Sequence, residues 1–92
     1  MYYILTYKTV DNYVEKRAPH RSLHLSHVKD YFDRGEIIMG GALADPADEA
    51  VIVFKVDDPQ IVENFVNADP YVINGLITEW KIRAWTVVIG NV

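Results

Sequence analysis

The residues best suited to proton chemistry in this sequence are His24, within the first predicted long helix, and Asp69, in an Asp-Pro-Tyr turn after the second. An imidazole exchanges a proton near neutral pH and can act as a general acid or base when an acceptor orients the ring. A carboxylate bonded to one ring nitrogen fixes the tautomer and leaves the other nitrogen facing a pocket. We therefore predict that His24 and Asp69 meet as an acid–base pair.

Both residues also have a structural interpretation. A half-buried histidine often bonds a backbone carbonyl, and an aspartate before proline often caps a helix, as Asp45 and Asp58 are expected to do in a turn or cap. Asp69 differs from these two because Tyr71-Val72-Ile73 follows it, and this apolar stretch indicates a turn that points inward. The acid–base pair and the structural interpretation are therefore both kept as hypotheses.

Other residues are candidates for binding a substrate. Arg17, just ahead of the helix, is suited to a bidentate contact with a carboxylate or phenolate, although a solvated loop arginine is the ordinary alternative. Gly40 and Gly41 interrupt a predicted strand, which indicates either a bulge or a close approach of backbone to ligand. We expect Arg17, Tyr71 and Gly41 to contact the substrate.

Three histidines fall on one line of the first helix, together with Tyr31. His20 and His24 are spaced i, i+4 and could share a metal ion. The sequence lacks the glutamate of an H-E-x-x-H motif and has no cysteine, so a polar helix edge is the favoured interpretation. We predict no metal and no cofactor.

Composition narrows the function classes. The 92 residues fit a single domain, residues 1–92, and half of them are hydrophobic. The formal net charge of -4 argues against nucleic acid as a ligand. The absence of cysteine excludes a disulfide framework, a thiolate zinc site and a cysteine nucleophile. No secretory signal or apolar run long enough to span a membrane is visible, so a cytoplasmic protein is expected.

The order of predicted elements is β-α-β-β-α-β, typical of the split βαβ arrangement. We expect a ferredoxin-like α+β sandwich with a four-stranded antiparallel sheet and two helices on one face. A polar connection is expected over residues 11–17, and a short irregular or helical piece over residues 71–76. The strands are predicted over residues 1–8, 36–43, 50–56 and 78–89, and the helices over residues 19–34 and 59–68.

The faces of the first helix and the last strand lead to two further predictions. Helical periodicity places Leu25, Val28 and Phe32 toward the core and the line of histidines with Tyr31 along the border with solvent; within that line His24 is nearest the core and His27 farthest from it. The final strand reads as apolar on both sides, with Trp85, Val87 and Ile89 opposite Ile82, Ala84 and Val88. Because helices cover only one side of the sheet, we expect the open side to pair with a second copy in a homodimer.

The sequence resembles the YCII-related family, also called YciI-like proteins, along nearly its whole length. The residues that carry the resemblance are Arg17, the segment His20-Arg21-Ser22-Leu23-His24-Leu25, Gly35, Gly40-Gly41, Asp69-Pro70-Tyr71, Gly75, Trp80 and Trp85. The resemblance implies a ferredoxin-like, dimeric α/β barrel related to muconolactone isomerase, with an active site on His24 and Asp69. It also implies a range of chemistry that includes dehydrochlorination of a chlorinated hydroxyquinol, the activity of one branch of the family.

Together these observations predict a small-molecule enzyme of lyase or isomerase type, acting on a hydroxylated cyclic or aromatic compound by dehydrohalogenation or isomerisation. His24 would move the proton, Asp69 would orient it, and Arg17 and Tyr71 would position the substrate. The alternative is a non-catalytic ligand-binding or interaction domain in which the His-Asp contact only bridges two helices.

Overall fold

A computed structural model describes residues 1–90 as a four-stranded sheet covered on one side by helices. The strands are β1 (Tyr2–Thr9), β2 (Ile37–Ala42), β3 (Glu49–Lys55) and β4 (Ile77–Trp85), and the helices are α1 (Tyr13–Lys16), α2 (Arg21–Asp33), α3 (Gln60–Ala68) and α4 (Pro70–Ile73). A short 3₁₀ turn, Ala18–His20, precedes α2.

The sheet has the order β2-β3-β1-β4, and all neighbouring strands are antiparallel. This order, with the β-α-β-β-α-β sequence of the main elements, confirms the ferredoxin-like α+β fold. Leu5 and Tyr7 of the central strand β1 are buried beneath the helices, and the antiparallel register pairs them with Ile52 and Ala50 of β3. Alternate residues of β1 therefore face opposite sides of the sheet.

Helix α3 packs its apolar face on the sheet. Val62, Phe65 and Val66 recur at helical spacing and are completely buried against the sheet. The helix begins after Asp58, whose carboxylate accepts a hydrogen bond from the Gln60 backbone N–H at 2.9 Å. The predicted cap at Asp58 is therefore present.

Helix α2 turns a different face to the sheet from the one that periodicity indicated. Leu25 and Phe32, predicted to face the core, are 47% and 56% exposed, whereas Val28 does pack on the core. His27, predicted to lie farthest from the core, is partly buried and contacts the Phe65 ring. Leu25 and Phe32 thus lie outside the core because His24 and His27, whose ring nitrogens form hydrogen bonds, occupy the inward positions.

The largest differences from the predicted elements lie before α2 and at the end of β4. The connection before α2 contains α1, in which Tyr13 is buried, and Pro19 lies in the 3₁₀ turn rather than at the start of the long helix. The last strand ends at Trp85 rather than residue 89. Its open side is not uniformly apolar, since Lys81 and Arg83 pair there with Thr6 and Ile4.

Helix α2 ends where the sequence indicated. Gly35 has φ of +79°, a left-handed conformation that favours glycine. The N–H groups of Gly35 and Glu36 donate to the carbonyls of Phe32 and Tyr31, which closes the last turn. Among residues 1–90, no helix combines the length and the apolar character needed to cross a lipid bilayer.

Candidate active site

Asp69 lies between α3 and α4 and has no exposed surface. Its Oδ1 accepts a hydrogen bond from the backbone N–H of Tyr71 at 3.0 Å, so the side chain caps α4, whose first residue is Pro70. The cap interpretation of Asp69 is therefore correct. It accounts for only one of the three donors that the carboxylate meets.

His24 is the second partner of Asp69. The Nδ1 atom of His24 lies 2.8 Å from Oδ1 of Asp69, across 45 residues of sequence, and its side chain is 13% exposed. Because an ionised carboxylate only accepts hydrogen bonds, Nδ1 must carry the proton in this contact. In the neutral ring Nε2 then holds the lone pair, which is the state of a general base.

Two aromatic rings support this pair. The ring of Tyr71 stacks on the imidazole of His24, with centroids 3.7 Å apart and planes inclined by 5°. Tyr13 packs edge-on against Tyr71, with centroids 5.7 Å apart. The orientation of His24 is thus fixed by a hydrogen bond in the ring plane and by a ring contact on one face.

Tyr7, on the central strand, is the third donor to Asp69. Its hydroxyl lies 2.7 Å from Oδ2, and the side chain is buried. Burial, followed by the negative charge of Asp69, raises the pKa of the Tyr7 hydroxyl well above its usual value. Tyr7 therefore stays protonated and donates to Asp69 throughout the physiological pH range.

A cavity of about 280 Å³ opens beside His24. It lies between the inner face of the sheet and the helical layer, and it contains both polar and apolar side chains. Its lining residues are Tyr7, Tyr13, Arg17, Arg21, His24, Leu25, Val28, Gly40, Gly41, Ala42, Ala50, Ile52 and Tyr71.

The structure places all five residues singled out by sequence at this cavity or directly behind it. His24, Arg17, Tyr71 and Gly41 line it, and Asp69 lies behind His24 in the protein interior. The neighbouring glycines differ: a Cβ atom on Gly40 would approach Ile52 Cγ1 to 3.2 Å, whereas one on Gly41 would meet no atom within 4 Å. The register of β2 and β3 does shift between Ile37 and Met39, just before these glycines.

Sequence reasoning missed Tyr7, Tyr13 and Arg21. Tyr7 occupies an ordinary core position of a strand, and nothing local distinguishes it from the other tyrosines of β1. Tyr13 lies in a segment that was interpreted as a polar connection. Arg21 did carry a usable signal, because it is one helical turn from Arg17 and three residues from His24.

The two remaining histidines do not join the site through a shared metal. His27 Nε2 donates to the backbone carbonyl of Phe65 at 2.9 Å, toward the core, and His20 ends the 3₁₀ turn. Within residues 1–90, no three side chains of the types His, Cys, Asp and Glu are grouped so that they could hold a metal ion.

The arrangement is suited to moving a proton without a metal. The Nε2 atom of His24 has no hydrogen-bond partner among the described residues, and His24 lines the cavity. If Nε2 takes up a proton, the resulting imidazolium lies directly against the Asp69 carboxylate, which stabilises its charge. The site therefore pairs a base with a buried counter-charge beside a small cavity.

Comparisons with known proteins give one family match and eleven matching chains among solved structures. The model of the YCII-related domain matches residues 1–86. No curated protein sequence matches the chain. Among solved structures, 5-chloro-2-hydroxyhydroquinone dehydrochlorinase from Burkholderia phenoliruptrix, in complex with 2,5-dihydroxybenzoquinone, has a TM-score of 0.79 at 18% identity, with 94% of each chain covered. A protein from Agrobacterium tumefaciens reaches a TM-score of only 0.48 at 19% identity, with 96% of each chain covered.

Proposed function

The chain belongs to the YCII-related family, and on that premise we propose that it is a small-molecule enzyme in which His24 transfers a proton. Asp69 acts through His24: it fixes the tautomer and compensates the charge of the protonated ring. The reaction is of lyase or isomerase type, on a compact cyclic compound that carries oxygen substituents.

One observation carries this proposal, namely the 2.8 Å contact between His24 and a carboxylate that has no exposed surface, at the wall of a cavity. A histidine needed only to bridge two helices would not require a cavity beside its second nitrogen. A carboxylate without exposed surface requires donors that compensate its burial, and Asp69 has three of them, one of which is His24.

The proposed chemistry balances in protons and electrons without a cofactor. On a chlorinated hydroquinone, a proton first moves from one hydroxyl to the chlorine-bearing ring carbon, which gives the keto tautomer. Nε2 of His24 then accepts the proton of another hydroxyl: the O–H bonding electrons form a C=O bond, the adjacent C=C bond shifts to the chlorine-bearing carbon, and chloride leaves with the electrons of the C–Cl bond. In an isomerisation, the same nitrogen returns the proton to another atom of the substrate. Arg17 and Tyr71 hold an oxygen of the substrate in either case.

The dehydrochlorinase of similar fold indicates which substrates to try first. Its name records the loss of a chlorine substituent from a hydroxylated ring, and its structure contains a dihydroxybenzoquinone. We therefore propose chlorinated hydroquinones first, followed by other hydroxylated aromatics and lactones.

The proposal is tested by measuring turnover of this panel by the purified protein and by the His24→Ala variant. General acid–base assistance supplies about 10² to 10⁴-fold in rate, so we expect a loss of that size in kcat. Circular dichroism of the variant should remain that of the folded protein, since His24 is one partly exposed residue of a longer helix.

Equal turnover by His24→Ala and by the unmodified protein would refute the mechanism. If the unmodified protein binds members of the panel without converting any of them, the non-catalytic binding domain becomes the better description. In that case His24→Ala would lower stability by about 1 kcal/mol through the lost hydrogen bond and would weaken binding only.

We propose further that the open side of the sheet pairs two copies of the chain. Ile4 and Val53 are paired at the centre of that side, and Lys81, Arg83 and Trp85 lie along its β4 edge. An interface of ordinary size, about 800 Å² per partner, would cover the apolar centre. Light scattering at micromolar concentration should give the mass of a dimer, and the mass of one chain would refute this pairing.

A further inference from the structure

The charge of the cavity differs in sign from that of the whole chain. The formal net charge of the protein is -4, yet the charged side chains that line the cavity are Arg17 and Arg21. No aspartate or glutamate of the described residues belongs to the lining, and Asp69 is sealed behind it. The cavity is therefore a local positive region in an acidic protein.

Neither guanidinium is neutralised by the protein. Arg17 and Arg21 form no ion pair with any residue in the range 1–90, whereas Arg34, on the same stretch of chain, is paired with Glu36. Arg17 instead lies over the ring of Tyr13, at 5.1 Å from the ring centroid. This contact holds the charge at the cavity without cancelling it.

Tyr71 supplies an independent indication of a ligand at the same place. The side chain is 1% exposed, and its hydroxyl has no hydrogen-bond partner among the described residues. Burial and the neighbouring Tyr13 raise the pKa of this hydroxyl, whereas a close polar contact with the Arg21 guanidinium and the charges of Arg21 and Arg17 lower it. A buried hydroxyl left without a partner is rare, and here it lies close to two unpaired cations.

We propose that Arg17, Arg21 and the Tyr71 hydroxyl form a binding subsite for a planar oxyanion of the substrate, so that the substrate is a small organic anion. A carboxylate and a ring oxyanion share this chemistry, because guanidinium groups and a phenolic O–H all donate to such oxygens. Since the ring of Tyr71 also stacks on His24, the subsite adjoins the proton-transfer group. This inference rests on the proposed function and adds the charge of the substrate to it.

The size of the cavity limits what can carry the anion. A cavity of about 150 Å³ holds benzene, so 280 Å³ suits one ring with a few substituents. Nucleotides and other bulky phosphates exceed that size. The geometry therefore selects compact monocyclic acids and phenolates.

Two pairs of probes of matched size and shape test the subsite without any turnover. Benzoate supplies a carboxylate and benzamide is its neutral counterpart; 4-nitrophenolate supplies a ring oxyanion and 4-nitroanisole is its neutral counterpart. Binding is measured by isothermal titration calorimetry and by amide chemical shifts of α2. We expect at least one anion to bind roughly tenfold or more tighter than its neutral counterpart, and the pair that shows the preference identifies the source of the oxyanion.

Charge-removing variants then locate the binding. Arg21→Gln and Arg17→Gln should each weaken binding of the preferred anion by roughly tenfold to a hundredfold, because each removes a charge-assisted hydrogen bond. Lys29→Gln is the matched control, since it removes one positive charge from the solvent side of α2, where Lys29 pairs with Asp33. It should leave binding unchanged. Tyr71→Phe should weaken binding of the anion more than binding of the neutral probe.

The outcomes separate this inference from the proposed function. Retention of anion binding by His24→Ala, together with no turnover by the unmodified protein, would leave the subsite standing and remove the enzyme. Equal binding of anionic and neutral probes, absence of binding by all four, or an equal effect of Lys29→Gln and the arginine variants would overturn the subsite itself.

Discussion

Two histidines on the inward face of α2, three residues apart, have different surroundings. His24 contacts a buried carboxylate and lines a cavity, whereas His27 donates to the Phe65 carbonyl and packs against the rings of Tyr31 and Phe65. The Phe65 carbonyl accepts a hydrogen bond from His27 Nε2 but holds no formal charge, so it orients the ring without supplying a counter-charge. The same residue type is thus equipped for proton transfer at position 24 and for packing at position 27, one helical turn later.

The contrast shows that the identity of a histidine's partner, rather than its place on a helical wheel, indicates its role. Both histidines are partly buried, and both bridge α2 to the segment between α3 and α4 or to α3 itself. The first is held by an acceptor whose charge changes the chemistry of the ring. The second is held by an acceptor that does not.

The variant with the largest expected effect removes the charge next to His24 and preserves the shape. In Asp69→Asn, the amide can donate to Nδ1 and so stabilise the tautomer that has its proton on Nε2, which cannot act as the base. The corresponding change in a serine-protease triad lowers kcat by about 10⁴, and we expect a loss approaching that size. Turnover at several pH values measures it.

A check of folding accompanies that measurement. Because His24 Nδ1 and the Tyr71 N–H both contact Oδ1, an amide nitrogen facing His24 leaves the Tyr71 N–H without its acceptor, so the first turn of α4 should loosen while the other helices and the sheet are retained. Full activity in folded Asp69→Asn would show that the charge beside His24 is irrelevant and would end the contrast with His27.

His27→Ala tests the packing role assigned to His27. It removes a hydrogen bond and the ring contacts to Phe65 and Tyr31, so the free energy of unfolding should fall by about 1 to 3 kcal/mol. Turnover per folded molecule should not change. Urea denaturation and an activity assay at low temperature separate the two quantities, and a drop in kcat like that of His24→Ala would contradict the assignment.

Tyr7→Phe is expected to have a smaller effect on stability than His27→Ala. The loss of the bond to Asp69 should lower stability by about 1 kcal/mol at neutral pH. The raised pKa of Tyr7 means that the folded protein keeps this proton at a pH where the unfolded chain releases it. The stabilisation from Tyr7 is therefore complete below about pH 10 and decreases as the pH rises further.

Urea denaturation at pH 8 and above pH 10 checks this sign. The unmodified protein should lose more stability across that interval than Tyr7→Phe does. If the free energy of unfolding fell equally in the two proteins over this pH interval, the environment of Tyr7 would not raise the pKa of its hydroxyl.

The smallest effects are expected at the two glycines of β2. Gly40→Ala would bring a methyl group to 3.2 Å from Ile52, so we expect a loss of stability of up to about 1 kcal/mol and weaker substrate binding. Gly41→Ala meets no neighbour and should be neutral or slightly stabilising. If Gly40→Ala and Gly41→Ala changed KM equally, the close approach of residue 40 to Ile52 would not affect substrate binding in the cavity.

The fold was predictable because its signals are local. The Asp58 cap, the end of α2 at Gly35 and the apolar face of α3 each act through a few neighbouring residues, and the order of elements follows from them. The pairing of His24 with Asp69 was predicted from residue types and from a family resemblance. Periodicity alone would have put Leu25 inside.

The errors have one physical cause. Periodicity measures hydrophobicity, whereas the inward face of α2 carries His24, His27 and Tyr31. The two histidines form hydrogen bonds with residues elsewhere in the chain, and Tyr31 packs on the core. Tyr7 was missed for the same reason, since its partner is 62 residues away. A contact between residues so far apart in the sequence forms only when the sheet and the helices have assembled.

The complete burial of Asp69 has a consequence for how relatives of this protein can change. In the proposed enzyme, proton transfer relies on a carboxylate anchored in the interior by a strand tyrosine and a helix cap, while the cavity walls are formed in part by the start of α2 and by β2. Substitutions in those walls can alter which molecule is accepted without disturbing the proton-transfer pair. Such a division allows descendants of one ancestor to acquire new substrates while retaining a shared chemical step.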